Sequence, residues 1–215
     1  MPAPATVPAT SPDREPSMRT PDLTLIVAAT NTMGIGRAGT LPWTGLRKEM
    51  AYFARVTRRS EPGRPNAVLM GRRTWDSIPA PLRPLKGRTN VVVTRRDPDA
   101  LPAGGERVVA GSLGQAVAAV TARPEPHSRL FVIGGAQLYK AALEAREARR
   151  ILLTRVLDDL ECDTFFPVAL GEDGTADGWQ RKSSADLDRW AGEKVPEGVQ
   201  EENGIRYIFE MWERM

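Results

Sequence analysis

Apolar residues along the chain fall into short unbroken runs separated by amphipathic stretches. Runs of strand length occupy 23–29, 67–70, 91–94, 130–133 and 151–156. A run that is apolar on both faces belongs inside a sheet covered on both sides, and such sheets are mostly parallel. Residues 205–212 are more mixed and suit an antiparallel strand near an edge, with 179–183 as a weaker strand able to pair with it. Between the runs, 46–57, 112–122 and 136–147 read as helices. Ser112 with Gln115 three residues on has the spacing of a capping box. A short helical turn is expected after Gly71, and the Gly- and Pro-bearing stretches 97–106 and 167–178 read as loops. The pattern predicts one α/β domain over 22–215, built on a twisted, mostly parallel sheet with helices on both faces. Residues 1–21 are rich in Pro, Ala, Ser and Thr, show no apolar period, and read as a disordered tail.

Composition narrows the chemistry. With 215 residues and 41% apolar content, the chain can bury a substantial core. No apolar run approaches the roughly 20 residues of a membrane span. The single cysteine, Cys162, permits no internal disulfide and fits a reducing compartment. The single histidine, His127, lies in a Pro- and Arg-bearing loop. That excludes a Cys/His zinc cluster and argues against a Ser-His-Asp triad, so no metal is expected. Net charge is +3, carried by arginines spread along the chain rather than gathered in one stripe. Neither a nucleic acid nor a membrane is therefore the expected partner; small anionic ligands are a better use of arginines at strand ends. The tail has no secretory apolar core and mixes Asp13 and Glu15 with Arg14 and Arg19, so a cytoplasmic location is the expectation.

One acid breaks the amphipathic pattern. In the helix over 46–57, Leu46, Met50, Phe53 and Val56 share a face by spacings of three and four, and Glu49 lies on that face too. The positions three and four away hold Gly45, Leu46, Tyr52 and Phe53, so no cation on the same helix can pair with it. Burial without a cation raises a carboxyl pKa and costs several kcal/mol unless compensated. Two readings stand: an acid at the edge of the face that reaches water or a distant arginine, or a carboxylate awaiting a ligand that supplies donors, such as an amidine-like N–C–NH2 edge.

Gly34-Ile-Gly-Arg-Ala-Gly39 matches the dinucleotide pattern G-x-G-x-x-G after a strand. Leu41-Pro42-Trp43 follows at once, no helix opens there, and no acid stands about 20 residues on. What remains is a glycine loop able to close over a ligand, or a plain connection. Better anion sites lie at two strand ends: Gly71-Arg72-Arg73-Thr74, and Thr94-Arg95-Arg96. Ligands of open α/β sheets sit past the carboxyl ends of strands. Two arginine pairs there suit several phosphates, and an extra 2′-phosphate favours NADP(H) over NAD(H). Ile133-Gly134-Gly135 is a third strand end, where paired glycines allow either close backbone approach to a ligand or a tight turn.

In order along the chain stand Ile35-Gly-Arg-x-Gly-x-Leu-Pro-Trp43, Glu49, Met70-Gly-Arg-Arg-Thr-Trp75, Arg83-Pro-Leu-Lys-Gly-Arg88, Ile133-Gly-Gly135 and Asp163-Thr-Phe-Phe-Pro167. Together they resemble the dihydrofolate reductase family, the eukaryotic form most closely, fungal members included. The resemblance spans about 23–212. It implies an eight-stranded sheet, mostly parallel with an antiparallel C-terminal strand, and reduction of 7,8-dihydrofolate by NADPH in a monomer open to antifolate inhibitors. Glu49 would grip the pterin 2-amino group and N3–H, held by Thr154, with Trp43 positioning a water. Ile26, Val27, Met50, Phe53, Ile78, Leu85, Ile133 and Tyr139 would line the folate pocket, and Arg88 would pair with the α-carboxylate of the glutamate tail. Toward the cofactor the resemblance places Ala28, Ile35, Gly36, Gly39, Thr40, Gly71, Arg72, Arg73, Thr74, Thr94, Arg95 and Arg96. Ile133, Ala136, Gln137 and Leu138 join them, with Gly134 and Gly135, whose peptide is cis in the family. Thr40, where an acid is common, Met50, where an aromatic is common, and Arg72 and Arg73, where lysines are common, depart from the vertebrate pattern. Other readings of the chain are a reductase of related fold acting on a ribosylaminopyrimidine, which has no need for Arg88 and the Glu49 helix, or a catalytically silent NADPH- or RNA-binding module, against which Glu49, Trp43 and Arg88 together argue.

Overall fold

The structure, a computed structural model, describes residues 21–95, 107–124 and 126–215. The expected tail, Arg96 and the loop 97–106 fall outside the described residues, apart from Pro21. In chain order the elements are β1 (Leu23–Thr30), β2 (Gly34–Gly36), α1 (Arg47–Arg58), β3 (Asn66–Gly71), α2 (Arg72–Ser77), β4 (Arg88–Val93), β5 (Val108–Ala110), α3 (Leu113–Thr121) and β6 (Leu130–Val132). Then come α4 (Ala136–Glu144), β7 (Ala148–Val156), β8 (Thr164–Phe165), β9 (Thr175–Ala176), β10 (Trp179–Arg181), α5 (Ser184–Ala191), β11 (Gln200–Glu202) and β12 (Ile205–Arg214).

The main sheet runs β5-β4-β3-β6-β1-β7-β12-β10-β9, with β11 also paired to β12. The first six strands are parallel. β12, β10, β9 and β11 join antiparallel. The sheet has 10 strands where eight were expected; the two-residue β9 and three-residue β11 are too short to leave an apolar pattern. β12 was expected near an edge, but β10 and β9 lie outside it. Its mixed pattern has another cause: Glu210, buried in this strand, pairs with the equally buried Arg155 of β7 at 2.9 Å.

Alternation along β1 divides the core. Leu25, Val27 and Ala29 pack with Ala116, Val117 and Val120 of α3 and with Leu138 and Ala142 of α4. Ile26 faces the other way, into a cluster holding Tyr52 and Val56 of α1 and Leu187 and Ala191 of α5. Helices therefore cover both faces, as expected. The Ser112 hydroxyl accepts the Gln115 amide at 3.2 Å, while the Gln115 side chain accepts the Gly111 amide at 2.9 Å. This capping box is thus displaced by one residue from the usual reciprocal form. α4 stops at Glu144, three residues short of the expected end, because a turn through Ala145 delivers the chain to β7. Among the described residues no helix is long and apolar enough to cross a membrane.

Candidate functional site

The buried stripe of α1 is Glu49, Tyr52, Val56 and Thr57. The expected face through Met50 is corrected: Met50 is 51% exposed, about 100° around the helix from Glu49. Leu46 precedes the helix and packs beside it with Trp43, Val156 and Tyr207. The rotation places Glu49 at the middle of the buried stripe rather than at its edge. Its carboxylate Oε1 accepts the Thr154 hydroxyl of β7 at 3.1 Å. Burial raises its pKa to about 7; the Thr154 bond lowers it somewhat, and the neighbouring charge of Glu202 raises it further. Among the described residues no arginine pairs with it.

Around this acid the expected pocket residues come together. Phe53, Ile78, Leu85 and Ile133 are partly buried against the Ile26 cluster, and the Tyr139 hydroxyl donates to the Ile26 carbonyl at 2.7 Å. Val27 packs its side chain into the opposite face, so β1 can present only main chain from that residue to the Glu49 side. Arg88 lies on β4 at the rim, where its guanidinium donates to Thr57 Oγ1 at 2.7 Å and to the Lys86 carbonyl at 3.2 Å. Burial, with Arg58 close by, pulls its pKa down to about 10. Asn90 shapes the approach to it, donating to the Leu85 and Arg88 carbonyls and accepting the Leu85 amide.

A second site adjoins the first at the strand ends. The Gly71 amide donates to the Gly134 carbonyl at 2.7 Å, and the Gly134–Gly135 peptide is cis. Gly134 has φ +117°, and a Cβ there would stand 3.4 Å from both Thr74 Oγ1 and Tyr139 Oη. The ends of β3 and β6 thus form a cradle of bare backbone, with Ala136, Gln137 and Leu138 opening α4 beside it. Arg72 is held by Asp76 at 3.3 Å, while Arg73 and Arg95 are exposed and Thr74 and Thr94 half-buried at the rim. Hydroxyls, guanidinium groups and unencumbered backbone fit a ligand bearing several phosphates.

The glycine loop is a pinned hairpin, not the start of a helix. β2 pairs with β8, and Arg37 and Thr40 exchange both backbone bonds across Ala38 and Gly39. Asp163 Oδ2 accepts the Ala38 amide at 2.7 Å. Gly34 is required by space, since a Cβ would lie 2.3 Å from the Cys162 sulfur. Ile35 and Gly36 border this hairpin, and Ala28 on β1 stands in register with Thr154, between the two sites. Among the described residues no His, Cys, Asp and Glu side chains are grouped to hold a metal ion. Sequence reasoning missed Thr57, in the last turn of α1, whose hydroxyl bonds back to the Phe53 carbonyl. It also missed Glu202, which reaches the start of α1 from more than 150 residues away, and Tyr207, whose hydroxyl donates to it.

A mixed, mostly parallel sheet with a cradle of bare backbone at its strand ends, beside a buried carboxylate in an apolar cleft, defines an α/β protein with two adjoining candidate ligand sites. The chain belongs to the dihydrofolate reductase family, whose model matches residues 22–214, and is thereby an oxidoreductase. It is 45% identical over 201 residues to the dihydrofolate reductase of Pneumocystis carinii, covering 89% of this chain and 96% of that protein. It is 40% identical to that of Gallus gallus over 196 residues, covering 89% and 96%. Among solved structures, Schistosoma mansoni dihydrofolate reductase superposes with a TM-score of 0.74 at 33% identity, covering 92% of this chain and all of that one. The family works with a nicotinamide cofactor.

Proposed function

We propose that the chain reduces 7,8-dihydrofolate to 5,6,7,8-tetrahydrofolate with NADPH. The observation that carries this reading is Glu49, a carboxylate buried among apolar groups with a single hydrogen-bond donor among the described residues. Such a group is completed by a ligand that presents two adjacent N–H donors, and the 2-amino and N3–H edge of a pterin does so. Arg88 would take the α-carboxylate of the glutamate tail. Thr74, Arg73, Thr94 and Arg95 would hold phosphates, and the exposed arginines favour a cofactor with a 2′-phosphate. NADPH, when bound, supplies the hydride that goes to pterin C6, while N5 gains a proton from solvent.

The protein's part is orientation and electrostatics. Glu49 grips the ring on the side away from N5, so it anchors the pterin and raises its proton affinity rather than handing over the proton itself. Trp43, buried beside Val156 and Tyr207, positions a water near the ring, and solvent reaches N5 beside the glycine hairpin. The test is oxidation of NADPH, followed by its near-ultraviolet absorbance, with dihydrofolate present or omitted and NADH in parallel. Dihydrofolate-dependent oxidation with a preference for NADPH is expected; oxidation indifferent to dihydrofolate would overturn the reading.

A further inference from the structure

α1 begins without a cap of its own. The residue at its start is Leu46, and no side chain nearby in sequence bonds to the first-turn amides. The acceptor comes from the far end of the chain. Glu202 of β11 takes the Lys48 amide at 2.9 and 3.0 Å through its two oxygens, and the Glu49 amide at 3.3 Å. Its Oε2 also accepts the Tyr207 hydroxyl at 2.7 Å. The next residue, Asn203, donates to the Thr44 carbonyl at 3.1 Å. Gly45, with φ +81°, leaves room for it: a Cβ there would lie 2.8 Å from the Asn203 amide nitrogen. The tip of the β11–β12 hairpin is therefore docked on the turn that launches the helix carrying the site's acid.

We propose that Glu202 is a positioning residue for the reaction, acting through the first turn of α1 to fix Glu49 and to place a second negative charge beside it. This inference rests on the role given to Glu49 above. An acid in the first turn of a helix is ordinarily helped by the free amides there. In this molecule those amides are engaged by a second carboxylate, so the help is withdrawn and a like charge is added. Burial pushes the Glu202 pKa up, but the Tyr207 hydroxyl and the Lys48 and Glu49 amides outweigh that and leave it below the ordinary value. Glu202 is thus ionised wherever Glu49 titrates. The other polar groups around Glu49 are Thr154 of β7, Tyr139 of α4, Tyr207 of β12, and Tyr52 and Lys48 of α1. The three tyrosines are all held neutral by pKa values pushed upward. Lys48 is exposed at the helix surface, which leaves Glu202, among the described residues, as the charge that acts on the acid from another element.

The test uses the full chain with glutamate carboxyls labelled with carbon-13, so that Glu49 is titrated directly by NMR. Glu202→Gln keeps an acceptor oxygen for the amides and removes the charge. The Glu49 midpoint should fall by about half a pH unit or more. Turnover at saturating dihydrofolate and about pH 8 should fall about threefold with KM nearly unchanged, a half-unit change being about threefold in ionisation. Glu201→Gln, an exposed neighbour on the same strand, should leave both unchanged. A Glu49 midpoint unmoved in Glu202→Gln would overturn the proposal. Should that variant fail to fold, Glu202→Asp decides: its carboxylate is one methylene shorter and draws the charge back from Glu49, so the Glu49 midpoint should still fall, and an unmoved midpoint would overturn the proposal equally. Dihydrofolate-dependent turnover of the wild type is measured first. Its absence would sink the proposed function, while the Glu49 titration, which needs no turnover, would still judge Glu202.

Discussion

Two carboxylates of this molecule are buried almost equally, Glu49 at 7% and Glu210 at 5% exposure, yet their surroundings differ completely. Glu210 is saturated by protein. Arg155 donates to both of its oxygens at 2.9 and 3.0 Å, Arg181 adds a bond at 3.3 Å and the Trp212 indole another at 2.9 Å. Among the described residues Glu49 has the Thr154 hydroxyl alone. A saturated buried acid holds strands together; an unsaturated one is an unfinished set of hydrogen bonds that a ligand can complete. Both lie beside β7, separated by the pleat: Thr154 points toward α1, Arg155 to the other face.

The widest separation between the two should appear in stability. Glu210→Ala strands Arg155 as a buried charge without its carboxylate and should cost about 3–5 kcal/mol, measured by denaturant unfolding. A loss under 1 kcal/mol would remove Glu210 from the structural side of the comparison. Glu49 should behave in the opposite sense. Its folded pKa, about 7, lies above the ordinary 4.5, so the native state binds the proton more tightly than the unfolded chain. Stability from this group is fully present below about pH 4.5, declines as pH rises, and is gone above about pH 7. Glu49→Gln should therefore match the wild type near pH 4.5 and exceed its stability near pH 8, by up to on the order of 3 kcal/mol. A destabilised variant at alkaline pH would contradict the picture of an unpaired acid. The smallest effect sharpens the account of the lone donor. Thr154→Val should raise the Glu49 midpoint by about half to one pH unit, the worth of one ordinary hydrogen bond; an unchanged midpoint would mean that the bond does little in solution.

The two acids also differ in how far the sequence announced them. Glu49 stood out because helical spacing put it among apolar residues with no cation in reach on its own helix. The spacing placed the stripe through Met50, whereas packing against β7 and β12 turned the helix so that Tyr52 and Thr57 are buried and Met50 is not. A periodic pattern with apolar residues on both flanks cannot fix the rotation by itself. Glu210 and Arg155 left no signal of that kind. Each interrupts a strand pattern once, and only the antiparallel register of β7 with β12, Leu153 opposite Glu210 and Arg155 opposite Ile208, puts them on one diagonal. The parallel half of the sheet was legible because its strands are apolar on both faces; β9 and β11 were not, being short extensions formed by turns. Arg88 and the glycine cradle were visible as motifs. Thr57, which positions Arg88, and Glu202, which holds the start of α1, depend on contacts between distant segments that no local pattern encodes.

The most direct test of the claim that Glu49 is completed by its substrate is the single-turnover rate of hydride transfer, measured across about pH 5–9 for wild type and Glu49→Gln. Carboxylate and pterin together must hold one proton, so the wild-type rate should fall as pH rises through about 7. The variant should bind NADPH normally, react about a hundredfold or more slowly near pH 7, and recover only as the medium itself becomes acidic. A variant that keeps the wild-type rate and the wild-type midpoint would contradict the account.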